Sequence, residues 1–109
     1  MKKYIIIEAD TNDGDYITER SEISDEQIEK FKVILGKLPR MEIYGGGFSS
    51  DIRWESGEMG DTQEELVEEG ILTEDEAEWF SQYLPYGEYG IHTIQSIDIL
   101  VVAEEINLL

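Results

Sequence analysis

At 109 residues, with 40% hydrophobic residues and fifteen isoleucines, the chain has the size of one domain and enough apolar side chains for a core. It contains no cysteine, which excludes disulfides, thiolate nucleophiles and cysteine-bound metals and fits a reducing compartment, so a cytoplasmic location is expected. A formal net charge of −18 opposes direct binding to nucleic acid or to an anionic membrane.

The first strand is expected at Lys3 to Ala9, with Ile5, Ile7 and Ala9 on one side and Tyr4 and Ile6 on the other, a pattern suited to a strand covered on both faces. The apolar run stops at Glu8, short of a secretory segment, and no stretch has the roughly 18 to 20 apolar residues of a membrane span. Asn12-Asp13-Gly14 supplies a tight turn, and Asp15 to Glu19 resumes an extended pattern, which makes a hairpin. Ser24 with Gln27 forms a capping box, and Ile28, Phe31, Ile34, Leu35 and Leu38 recur at helical spacing until Pro39. Met41 to Tyr44 reads as a short strand, Gly45-Gly46-Gly47 opens a loop, and Ile52 to Glu55 is a second short extended piece.

A second helix is expected from Asp61 or Thr62 to just before Gly70, with Ile71 positioned for the apolar contact of a glycine cap. Thr73 with Glu76 caps a third, carrying Ala77, Trp79, Phe80, Tyr83 and Leu84 up to Pro85. Tyr86 to Gly90 forms a turn, and Ile91 to Val102 has β-branched residues on both faces, as in a strand from the middle of a sheet. The expected fold is a single α+β domain over 1–109, of order ββαβ(β)ααβ. It has a small mixed or antiparallel sheet, with the N- and C-terminal strands central and about three helices packed on one or both faces.

Charge is the most informative feature. Residues 1–53 hold eleven acids and eight bases, net −3, whereas residues 54–109 hold fifteen acids and no lysine or arginine, net −15. Helical projection places Asp61, Glu64, Glu65, Glu68 and Glu69 on one face of the second helix, opposite Leu66 and Val67. Glu74, Asp75 and Glu78 repeat the arrangement on the third, while Glu76 lies nearer the apolar side, where it suits capping. Between Glu55 and Glu78 stand eleven carboxylates and no lysine or arginine. Their spacing of about 6 Å per four residues is within about a factor of two of the phosphate spacing along a DNA strand. Such a surface suits docking of the pair 61–84 on a basic surface of another protein, for instance a nucleic-acid-binding one. The competing reading is a solvated helix face that only confers solubility. The acidity resembles that of small phage-encoded DNA-mimic inhibitors as a broad class, in composition only, so no residue role is carried over.

Other candidates carry less. Asp10, Asn12, Asp13 and Asp15 cluster around Gly14, but an EF-hand register would put Ala9 at its first position and Thr11 at its third, so an Asx-rich turn is the plainer reading. The Gly45–Gly47 loop lacks the Lys-Ser/Thr of a P-loop. Tyr83, Tyr86 and Tyr89 recur every three residues and are candidate interface anchors, with the alternative that they cover the end of the core. His92, the only histidine, has no paired motif that would make it a catalytic base. The sequence therefore points to a non-enzymatic interaction protein with no catalytic residue, cofactor or metal. The alternatives are a small-ligand domain with a pocket near Gly45–Gly47 and the Tyr83–Tyr89 turn, and an assembly subunit that forms homo-oligomers.

Overall fold

The computed structural model describes residues 2–41, 51–57 and 60–102. The glycine loop, and all but Met41 of the expected Met41 to Tyr44 strand, lie outside these residues. The element order is β1 (Lys2–Thr11), β2 (Tyr16–Glu22), α1 (Asp25–Lys37), β3 (Ile52–Arg53), α2 (Thr62–Glu68), α3 (Glu74–Ser81) and β4 (Ile91–Val102). The four strands form one antiparallel sheet of order β2-β1-β4-β3, so the first and last strands are adjacent and central. The architecture is α+β.

Alternation along β1 buries Ile5, Ile7, Ala9 and Thr11 on one face and leaves Tyr4, Ile6, Glu8 and Asp10 half-buried on the other. Among the described residues only the first of these faces of β1 is fully buried, short of the cover on both sides expected from the sequence. A single apolar cluster joins Ile5, Ile7 and Ala9 to Phe31 and Ile34 of α1, Leu66 of α2 and Phe80 of α3. All three helices therefore lie over the same face. On the opposite face, the Arg20 guanidinium sits 4.1 Å from the centre of the Tyr4 ring, which lets a half-buried aromatic face a charged edge strand. The charges Glu19, Arg20 and Glu22 on β2 also discourage another chain from pairing with that edge.

The isoleucines of β4 stand at 91, 94, 97 and 99, a spacing that strict alternation cannot keep on one side. Register shifts resolve the mismatch. The pairing skips His92 and Gln95, so Ile91, Ile94, Ile97 and Ile99 oppose Thr11, Ala9, Ile7 and Ile5 on the packed face. β3 pairs Ile52 and Arg53 with Ile94 and Thr93, and the chain then stays beside β4 through Trp54 N donating to His92 O (3.1 Å) and Ser56 N to Ile91 O (3.0 Å).

Local caps set the helices. Ser24 and Gln27 form the reciprocal box that opens α1, at 2.8 and 3.2 Å, and Thr73 and Glu76 form its equivalent in α3, at 2.9 and 3.1 Å. α2 ends at Gly70, whose φ of +75° allows its N–H to reach Val67 O (3.1 Å) while Ile71 N reaches Leu66 O (2.9 Å). Between α1 and α3 lies an aromatic cluster, with Phe31 centred 4.7 Å from Trp79, 4.9 Å from Tyr83 and 5.9 Å from Phe80. Trp54 closes it at 4.9 Å from Phe80.

Candidate functional site

The rotation of α2 decides where its acids point, and a tertiary contact sets that rotation. Thr62 is buried; its N–H donates to Glu55 O (2.9 Å) and its hydroxyl accepts from Glu55 N (2.7 Å), which ties the first turn of α2 to the exit of β3. Leu66, one turn on, enters the core, as do Ala77 and Phe80 of α3. With Thr62 and Leu66 inward, Asp61, Glu64 and Glu68 project away from the core.

These three meet Glu74 and Glu78 of α3 around an open depression of about 550 Å³, which Gln63 and Val67 complete. Five carboxylates thus converge on one groove. Among the described residues neither these five nor Glu69 and Asp75 form an ion pair. Asp61 also caps α2, accepting from Glu64 N at 3.1 Å. The pairs Glu64/Glu68 and Glu74/Glu78 each stand four apart on a helix, an arrangement of like charges that costs about 0.2–0.5 kcal/mol per pair.

Two aspects of the projected stripe change. Glu65 and Glu69 lie about a quarter turn round the helix from Glu64 and Glu68, and they border a separate depression with Arg40, Arg53 and Met41. Val67 stands beside the groove rather than opposite the acids. Nor are all the carboxylates without a cation. Arg53 reaches Glu55 (3.0 Å) and Glu65 (3.4 Å), and Lys37 reaches Glu76 (2.8 Å). The Arg53 hydrogen bond holds the Glu55 carboxyl below its ordinary range against the opposing effect of burial, with smaller help from the charges of Arg53 and His92. Lys37, with the Thr73 backbone, does the same for Glu76. Asp75 is exposed in the first turn of α3, away from these contacts, and Glu58 lies outside the described residues.

The three tyrosines separate. Tyr83 packs against Phe31 and Trp79 and its hydroxyl accepts from Gln27 Nε2 at 3.2 Å, so it covers the edge of the core. Tyr86 is 86% exposed and Tyr89 49%. Their turn is clamped from outside. Asn12 Nδ2 donates to Tyr89 O (2.8 Å) and Ser56 O (2.9 Å), and Asn12 N donates to Gly90 O (3.1 Å). Beside Tyr86 is a second depression of about 420 Å³, with Trp54, Leu84 and Pro85 among its apolar walls and Gln63 among its polar ones. Gln63 lines both depressions, which makes them neighbours. Ser56 and Gly57 also line the second depression, while the Gly45–Gly47 loop lies outside the described residues. The sequence offers no signal for Gln63, whose role depends on how α2 is rotated.

The Asx turn is used internally. Thr11 N donates to Asp15 O (2.8 Å), Asp15 N donates to the Thr11 hydroxyl (2.9 Å), and that hydroxyl also bonds Asp13, while Asn12 is engaged by the clamp above. No group of three or more His, Cys, Asp or Glu side chains among the described residues is arranged to hold a metal ion. His92 Nδ1 lies 2.6 Å from the Thr93 hydroxyl, but Thr93 is 4% exposed, which closes that hydroxyl to a substrate. No described helix is long and apolar enough to cross a membrane. No family model, curated protein or solved structure matches the chain.

Proposed function

We propose that this chain is a non-enzymatic, cytoplasmic interaction protein whose α2–α3 groove docks on a basic surface of another protein, in the manner of a nucleic-acid mimic or phage-type inhibitor. The observation that carries this reading is the convergence of Asp61, Glu64, Glu68, Glu74 and Glu78 on one depression without an ion pair among the described residues, although Arg53 and Lys37 pair with the acids on either side. A face meant only for solubility mixes both signs. This one keeps two repulsive helical pairs on rigidly set helices, which lowers stability and focuses the field on one place.

The test compares capture of basic proteins from a host lysate across a salt series. The bait is the wild type, a groove variant (Glu64→Lys, Glu68→Lys, Glu74→Lys, Glu78→Lys), or a control carrying Glu19→Lys and Glu22→Lys on the exposed β2 edge. Capture should be lost in the groove variant, retained in the control, and weakened by salt in the wild type. Equal loss in both variants would make net charge, not the groove, responsible, and salt-independent capture would refute electrostatic docking.

A further inference from the structure

Among the exposed large hydrophobic side chains of the described residues, Tyr86 is the most exposed, at 86%, and it makes no hydrogen bond or ring contact of its own there. Its backbone, in contrast, is held on both sides. Pro85 is buried, Gly90 N closes the turn onto Gly87 O at 3.0 Å, and Asn12 fixes the carbonyls of Tyr89 and Gly90. Gly87 sits so near Gly90 that a Cβ there would come within 2.8 Å of the Gly90 oxygen. A large side chain presented to solvent from an immobilised turn loses little entropy on binding, which is the property of an interface anchor. Tyr86 borders the depression that adjoins the acidic groove across Gln63, and Glu88 lines it too.

We propose that this depression receives an arginine side chain of the basic partner, its guanidinium stacked on the Tyr86 ring with Gln63 and Glu88 as acceptors. This inference rests on reading the groove as the docking surface and adds the identity of one contact. An aromatic face attracts both basic residues, but the planar guanidinium also stacks and donates in a fork, so arginine is favoured over lysine. The groove carboxylates also match the guanidinium fork, so the mark of this contact is the part of the arginine preference that depends on Tyr86.

The experiment titrates nona-arginine and nona-lysine peptides into the wild type, Tyr86→Ala, Tyr86→Phe, and a groove variant with Glu64→Gln, Glu68→Gln, Glu74→Gln and Glu78→Gln. The wild type should bind nona-arginine more tightly than nona-lysine, with the share due to Tyr86 at most about two- to fivefold, the full range of an exposed cation–π contact. Tyr86→Phe should keep that ratio and Tyr86→Ala should lower it to what the groove carboxylates alone supply, while the groove variant weakens both peptides. Absence of an arginine preference in the wild type, or its undiminished survival in Tyr86→Ala, overturns the inference and leaves the groove reading intact. Unchanged affinity of both peptides for the groove variant overturns the groove reading itself.

Discussion

Asn12 donates from Nδ2 to the carbonyl of Tyr89, 77 positions later, at 2.8 Å, and so ties the β1–β2 turn to the turn that presents Tyr86. The same nitrogen serves Ser56 O at 2.9 Å, so one amide joins three segments. Asn12→Ala leaves both carbonyls short of a donor and should lower stability by about 1–3 kcal/mol. In a domain of this size that corresponds to a fall in Tm of roughly 4–8 °C per kcal/mol. Asn12→Asp should cost more, because it sets a carboxylate against two carbonyl oxygens. Thermal denaturation of the two variants checks both the fall and its order.

Glycine substitutions should rank by what surrounds them. Gly14, Gly57 and Gly90 all have positive φ, at 88°, 72° and 96°. A Cβ on Gly14 meets open space, whereas one on Gly57 would overlap the Tyr89 carbonyl and one on Gly90 the Ser56 carbonyl. Gly14→Ala should therefore cost about 1 kcal/mol, the backbone strain alone. Gly57→Ala and Gly90→Ala should cost clearly more, because backbone must move as well. Urea denaturation giving equal costs at all three positions would show that the Ser56–Gly57 and Tyr89–Gly90 segments are not packed as described.

Local chemistry made the helix boundaries legible in the sequence: Ser24 with Gln27, Thr73 with Glu76, and Gly70 are signals confined to one turn. The central placement of β1 and β4 follows from their apolarity. Alternation could not show that all three described helices lie over one sheet face, because half-buried Tyr4 and Ile6 resemble core residues by type. The division of the acidic stripe also escapes projection. It depends on Thr62 bonding Glu55 and so fixing which flank of α2 meets Arg53. Tyr83 and Tyr86 are alike in sequence and differ because Phe31 and Trp79 receive only the first.

Acid should erase the contribution of Lys37. Lys37 lowers the carboxyl of Glu76 from its ordinary value of 4.5, so this pair stabilises the fold above that pH, and the stabilisation disappears as pH falls through the lowered folded-state value. Lys37 is 42% exposed and Glu76 19%, so solvent screening limits the effect to about 0.5 kcal/mol. Lys37→Met should therefore be less stable than the wild type near neutral pH and indistinguishable from it once both Glu76 states are protonated. Paired urea titrations at the two pH values check this. A difference that persists in acid would assign the loss to packing of the lysine stem instead.

Neutralising the groove should stabilise the protein. Glu68→Gln and Glu78→Gln each break one repulsive pair four residues apart without touching a first-turn acid that the helix dipole favours, for an expected gain of about 0.4–1 kcal/mol in the combined variant. That corresponds to a rise in Tm of about 2–8 °C. Glutamine and glutamate have nearly equal helix propensity, so the gain must come from relieved repulsion. It should shrink at about 1 M salt, where the screening length is about 3 Å. Scanning calorimetry at low and high salt separates the cases. A gain that salt removes means these carboxylates are retained at a cost in stability, which a docking surface explains and a solubilising face does not. A variant no more stable than the wild type would mean the groove acids repel too weakly to need a partner.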